Sequence, residues 1–433
     1  MMTKAIDPTA YQLKSVASGS VFNDTGWLLD APGETQAGLI RAIYEKKQLH
    51  LKESDYGLFV FADWLPVTRF LMGSSAPVTY KSEGLATKLG LTRLYITFSG
   101  FWPERNALMR SCSFKETEAY SVAARIDGRQ PGKVLVVASA GNTARAFAAV
   151  CSENRIPLLL CVPEDNLNAL WFDRPLNECV KLVSTQKGSD YFDAIHLSTI
   201  ICGFEDFYPE GGAKNIARRD GMGTTLLSAA TSIGRIPDYY FQAIGSGTGA
   251  IAAWEANQRL IDDGRYGSHT MKLMVSQNAP FQPIYEAWKA NSPEMLFYDD
   301  DLARQHVETI DAKVLSNRKP PYSLVGGLYD ALINTDGEVL VVTNKEAKAA
   351  AKLFQEAEGI DIHPAAAVAT ASLIQAIKKQ RIDTTKIVML NITGGGEERF
   401  RQENILYYLK PDLTFSPDAN VDFIRTEIQK LRW

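Results

Sequence analysis

Lys115 stands within SCSFKETEAYSVAARI (111–126). Ser113 and Glu116 have the spacing of a capping box and place a helix start at about Phe114. Lys115 then falls in the first turn, where the positive end of the helix dipole disfavours an ammonium group. Such a lysine either stretches out to water or serves as an amine nucleophile and Schiff-base partner. A second element, VVASAGNTARAF (136–147), reads as a strand, a turn of small residues and a helix from about Thr143. Asn142 is then either a ligand contact beyond the strand's carboxyl end or a cap for the helix. In AIGSGTGAIAAWEA (243–256), Gly245, Gly247 and Gly249 alternate with Ser246 and Thr248 between a strand and a helix. That arrangement offers backbone N–H groups and two hydroxyls to a phosphate. It is neither a P-loop, since no Gly-Lys-Ser/Thr follows, nor the G-x-G-x-x-G of dinucleotide folds. Thr393 ends an apolar strand before three glycines in NITGGGEERF (391–400). Lys214, Asn215, Arg218 and Arg219 concentrate donors within six residues of EGGAKNIARRDGMGTT (210–225). They make either a second anion site or a solvated basic face.

The elements that must carry these residues alternate. VLVVAS (134–139), PLLLCVPE (157–164), the segment from Tyr239, MKLMVSQ (271–277), EVLVVT (338–343) and KIVMLNIT (386–393) are apolar runs of strand length. Helical spacing lies between them, as in 143–153 and 344–359. Strands alternating with helices predict α/β architecture, with mostly parallel twisted sheets and helices on both faces. The first fifty residues differ: alternating apolar and polar residues with turn signals predict a short β meander. Met109, Phe114, Trp254 and the alanine-rich helix at 364–377 are expected in the core.

The chain has 433 residues, 46 Lys plus Arg and 50 Asp plus Glu, for a formal net charge of −4. That balance argues against nucleic acid as a partner. No run approaches the length of a membrane span, and the first residues carry no apolar core of a secretory signal. Five cysteines without a C-x-x-C pair suit a reduced, cytoplasmic protein with no disulfide framework.

Taken in order, SFK, SAGNT, GSGTG, EGIDIHPAAAVA (358–369) and NITGGG resemble the five landmarks of the fold-type II pyridoxal phosphate enzymes, and within them the threonine synthase-like branch. The likeness covers about residues 75 to 405. It is nearest to enzymes that exchange the phosphate of O-phosphoserine for sulfite, through MRSCSFKETEA, YPEGGAKNIARRDGMGT and SQNAPFQPI. The resemblance implies a tryptophan synthase β-subunit-like fold with two α/β domains and pyridoxal 5'-phosphate in the cleft between them. Residues 1–115 and 228–433 would form the larger, cofactor-binding domain, and 116–227 the smaller. Lys115 would hold the cofactor as a Schiff base and act as general base. Asn142 would hydrogen-bond the cofactor's 3-hydroxyl, Gly245, Ser246, Gly247, Thr248 and Gly249 would hold its phosphate, and Thr393 would contact the pyridine nitrogen. Ser139, Ala140, Gly141 and Thr143 would embrace the substrate carboxylate. Lys214, Asn215, Arg218 and Arg219 would meet the leaving phosphate or incoming sulfite. The implied reaction is β-replacement through an aminoacrylate. The alternatives are threonine synthase or another amino-acid β-replacement or β-elimination, and more distantly a phosphate-binding protein without catalysis. A homodimer acting on a small molecule is implied, with neither membrane nor nucleic acid.

One departure stands out. Relatives often begin with a zinc-ribbon-like piece, C-x-x-C-G and a later cysteine before proline. Here the matching stretches are Ser15 to Gly19 and Asp30-Ala31-Pro32, so a meander with no metal is expected. His363 occupies a position where the family often carries a glutamate.

Overall fold

The computed structural model describes residues 8–126, 130–139 and 141–433. Two parallel sheets organise it. The larger has six strands in the spatial order Glu338–Val342, Lys272–Asn278, Tyr239–Ala243, Val388–Ile392, Leu94–Phe98 and Val78–Lys81. All neighbours are parallel except the edge strand Val78–Lys81, which is antiparallel to Leu94–Phe98. The smaller has five parallel strands in the order Phe207–Pro209, Val134–Ala138, Leu158–Pro163, Val180–Thr185 and Leu413–Phe415. The inner strands of both sheets are buried along almost their whole length, as parallel strands covered on both faces must be, whereas the edge strands Val78–Lys81 and Leu413–Phe415 are largely not.

The α/β architecture expected from the sequence is therefore present. The last strand departs from the expected division. Leu413–Phe415 pairs with Val180–Thr185, and Ile424 and Ile428 of the helix Val421–Ile428 join the apolar cluster of the smaller sheet. This end of the chain thus sits with the five-stranded sheet, although 228–433 was expected to belong wholly to the larger unit.

Three helices form the interior layer that carries the site. Lys115–Arg125 is buried almost throughout. Ile216–Ile233 packs against it and against Thr248–Asp263. Gly221 makes the first contact possible, because a Cβ there would stand 2.3 Å from the Thr117 carbonyl oxygen. Buried ion pairs tie the second contact: Arg219 to Glu255 at 3.0 Å, and Arg259 to Asp220. The N-terminal meander is a three-stranded antiparallel sheet, Val21–Phe22, Tyr11–Ser15 and Ile40–Tyr44. Its knuckle is hydrogen-bonded: the Ser15 hydroxyl donates to Glu34 at 2.5 Å and accepts from the Ser18 N–H at 3.2 Å. Among the described residues, no helix is long and apolar enough to cross a membrane. All five cysteines are free.

Candidate active site

The helix of Lys115 begins one residue later than the sequence suggests, and without the capping box. Phe114 is its N-cap and makes no side-chain capping bond. Residues 112–114 are instead laced to the turn after Val388–Ile392. Phe114 N–H donates to Thr393 O at 3.0 Å, Gly395 N–H donates to Cys112 O at 3.1 Å, and Ser113 bridges Gly394. With Ser113 held in that bridge, the Glu116 carboxylate turns back to the Ser111 N–H instead. This lacing fixes the residue before Lys115 against Thr393, far away in sequence; Thr393 is itself buried and is not among the residues that line the cleft of Lys115.

Lys115 lines a cleft of about 530 Å³. Its Nζ donates to Glu118 Oε2 at 3.2 Å. Burial lowers the Lys115 amine below the usual lysine range, and nearby Arg218 pushes the same way, while Glu118 opposes them. The amine reading of Lys115 therefore has a physical basis, and its side chain does not run out to solvent.

Asn142 opens the helix Asn142–Asn154, and the N-cap is Gly141. The asparagine does not cap the helix. Its Oδ1 accepts from Arg145 NH2 at 3.1 Å, and the side chain borders the cleft. Ser139, Gly141 and Thr143 border it too, with the Ser139 hydroxyl accepting from the Gly141 N–H at 3.1 Å. Ala140 lies outside the described residues. Arg145 is itself buried. It reaches Ser111 O at 2.8 Å, lies over the Trp171 ring at 3.9 Å and faces Glu397 at 3.6 Å. Glu397 also pairs with His363 at 2.9 Å. Burial would raise the Glu397 carboxyl, but His363 and Arg145 outweigh it and hold it down at about 2.

The glycine loop joins Tyr239–Ala243 to the helix Thr248–Asp263. Gly247 has φ +78°, a left-handed conformation that glycine adopts freely. Gly245 passes so close to the segment at 313–317 that a Cβ would stand 2.9 Å from Leu315 Cα. Ser246 and Thr248 face the cleft and share a 2.9 Å hydroxyl contact. The first N–H groups of a helix have no partner within it, so this turn presents donors to an anion. Gly249 is buried and permits close packing: a Cβ there would meet the Gln242 amide at 2.4 Å.

The basic cluster divides. Lys214 and Arg218 border the cleft. Asn215 and Arg219 do not. Asn215 caps its helix, accepting from Ala217 N–H at 3.0 Å and from Arg125 at 3.0 Å. Arg219 is buried against Glu255. Helical geometry separates them, since Arg218 and Arg219 are about 100° apart around the axis. Arg218 is held between two buried carboxylates, Glu118 at 3.1 Å and Glu210 at 2.5 Å. Burial raises the Glu210 carboxyl, and Arg218 only partly offsets this.

Sequence reasoning missed Glu118, Glu210, Tyr191 and the 313–321 lip, which includes Lys319. Only Glu118 gave a signal: three residues after Lys115 on a helix, it shares that lysine's face. Glu210 reaches Arg218 from behind the cleft wall, and Tyr191 and the lip reach the cleft, through long-range packing.

These residues fit pyridoxal phosphate. A lysine amine with its charge disfavoured faces the cleft. A helix N-terminus with two hydroxyls suits a phosphate monoester.

Residues 83–394 match the family model described as pyridoxal-phosphate dependent enzyme. The chain is 48% identical to the cysteate synthase of Methanocella paludicola over 92% of this chain and 93% of that protein. It is 44% identical to the cysteate synthase of Methanospirillum hungatei over 98% of both. Among solved structures, maize serine racemase matches with a TM-score of 0.58 at 14% identity, covering 76% of this chain and 91% of that one. The L-serine ammonia-lyase of Rhizomucor miehei matches with a TM-score of 0.58 at 12% identity, over 76% and 98%. These structural likenesses speak for the fold, and the chain belongs to the pyridoxal-phosphate dependent enzyme family.

Proposed function

We propose that this chain is a cysteate synthase, converting O-phospho-L-serine and sulfite to L-cysteate and phosphate by β-replacement. The observation that carries the reading is the cleft itself: a buried lysine amine faces the N-terminus of the glycine-loop helix, with Lys214 and Arg218 on its wall. The named relatives, similar over nine-tenths of the chain, support the choice of product.

Bound pyridoxal phosphate supplies a sink for the electron pair left on the substrate's α-carbon. The protein's part is to hold, orient and move protons. Lys115 would hold the cofactor covalently, and its free amine would take the substrate's α-proton. Ser246, Thr248 and the backbone from Gly245 to Gly249 would hold the cofactor's phosphate. Asn142, fixed by Arg145, would hydrogen-bond the cofactor's 3-hydroxyl, and Thr393 would offer a neutral hydroxyl to its pyridine nitrogen. The turn from Ser139 to Thr143 holds the substrate carboxylate. Lys214 and Arg218 stabilise charge on the departing phosphate and meet the incoming sulfite.

The architectural reading is of two units flanking the cleft. The smaller is built on the five-stranded sheet and includes the last strand. The larger carries the glycine loop and Thr393. A homodimer in the reducing cytoplasm completes the proposal, supported by the family likeness and by five unpaired thiols.

The test is spectroscopic. The purified protein should be yellow, and Lys115→Ala should lose the visible band together with activity. O-phosphoserine should release phosphate and, with sulfite, yield cysteate. A yellow protein inert to O-phosphoserine would keep the family and remove the substrate assignment.

A further inference from the structure

Glu118 is a costly residue in its position. It stands behind Lys115 and Arg218, which line a cleft read as receiving two anions; its side chain has no exposure, and a buried carboxylate is destabilising unless paired. Its pairing is specific. Oε2 accepts from Lys115 Nζ at 3.2 Å, and Oε1 faces Arg218 at 3.1 Å. Arg218 continues to Glu210 at 2.5 Å. The two residues sit three apart on one helix, so the backbone fixes their separation.

We propose that Glu118 is the positioning residue for the Lys115 amine: its carboxylate holds Nζ at the cleft wall and stabilises the ammonium formed when Lys115 takes the substrate's α-proton. This rests on the reading of Lys115 as the base. In that step the Cα–H bond breaks, the electron pair stays on carbon, and the proton forms a new N–H bond on Nζ. The ammonium then donates to Glu118 Oε2, and no proton passes to the carboxylate. The charged and titratable groups facing this pair are Arg218 from Ile216–Ile233, Glu210 at the end of Phe207–Pro209 and Tyr191 from the helix Tyr191–Cys202. Arg218 occupies the second carboxylate oxygen, which leaves the first for Lys115. Among these groups, Arg218 disfavours the ammonium and Glu118 favours it most.

Glu118→Gln keeps the size and one acceptor oxygen while removing the charge and the second acceptor. The first readout uses the full chain freed of cofactor. Reductive methylation of Lys115 by formaldehyde and cyanoborohydride is followed across pH by peptide mass spectrometry. In E118Q the midpoint at which the amine becomes reactive should fall by about one pH unit or more. The second readout is the pH profile of α-deuterium loss from labelled O-phosphoserine in the holoenzyme, whose lysine limb should move the same way. A folded E118Q with an unmoved methylation midpoint overturns the proposal. Should E118Q not fold, Glu118→Asp carries the test. It retains the charge but draws it back by one methylene, so α-deuterium loss should slow by roughly ten-fold or more with KM little changed. An unslowed E118D overturns the proposal. The methylation arm involves no substrate, so failure of the cysteate assignment would leave it standing.

Discussion

Glu116, the neighbour of Lys115, faces the protein interior and accepts from the Ser111 N–H. Burial pushes its carboxyl up to about 7, with the Ser111 hydrogen bonds, Arg110 and Arg145 opposing. The sign of the consequence follows from linkage. An acid whose pKa is raised by folding binds more protons folded than unfolded, so its burden is absent below the unfolded value of 4.5 and fully present above about 7. Stability should therefore fall as pH rises through that window. Glu116→Gln, which can still accept from Ser111, should gain on the parent by roughly 3 kcal/mol between pH 4.5 and 7.5, read by urea unfolding. Glu397 runs the other way. Its stabilising contribution is present above the ordinary carboxylate range and is lost as pH falls toward about 2. Side-chain types and spacing in the sequence led to Lys115, Asn142 and the glycine loop, because each stands at the boundary of a strand or helix that its own neighbours encode. Glu397, Arg145 and Glu210 gave no such sign. Their partners are brought in by the fold, and a buried charge looks in sequence like any surface charge.

Elements were legible where they are long and apolar. The strands expected at 134–139 and 338–343 are Val134–Ala138 and Glu338–Val342. The strands Val180–Thr185 and Phe207–Pro209 were not anticipated; the second is too short to show a period. The helix Ile216–Ile233 shows why the basic cluster misled. Its buried residues run almost all the way round, so charged side chains at successive positions point into different interiors. Asn215 Oδ1 caps the helix and accepts from Arg125, while its Nδ2 donates to Glu210 O at 2.7 Å. Asn215→Ala should cost about 2–4 kcal/mol in denaturant unfolding, more than a surface cap, because a buried guanidinium loses a partner. Gly247→Ala imposes a left-handed conformation on a side chain that would meet Leu328 Cδ2 at 2.6 Å. Cofactor affinity should weaken by roughly ten-fold, about 1.4 kcal/mol, in equilibrium titration of the apoprotein.

At the scale of the molecule, the cleft lip at 313–321 is tied across to the smaller sheet's side. Arg318 pairs with Asp190, which caps the helix Tyr191–Cys202 and also holds Arg304 at 3.1 Å. A partly exposed pair of this kind contributes little to stability. Arg318→Gln should leave Tm within about 3 °C yet raise KM for O-phosphoserine several-fold, because the lip no longer keeps its place over the site. A KM equal to the parent's would dissociate this pairing from substrate capture.

The pairing of Val180–Thr185 with Leu413–Phe415 joins residues 230 apart in the chain, as Val183 to Leu413. A ribosome emits the other four strands of that sheet long before the fifth. Until residues 413–428 are made, Leu159, Val183 and Ile201 lack Phe415, Ile424 and Ile428 from their shared apolar cluster. The nascent sheet therefore waits with one open edge and one uncovered apolar face, a state prone to pairing with other chains. Assembly of this half of the cleft waits on the segment around Leu413 and requires the closure of a very long loop.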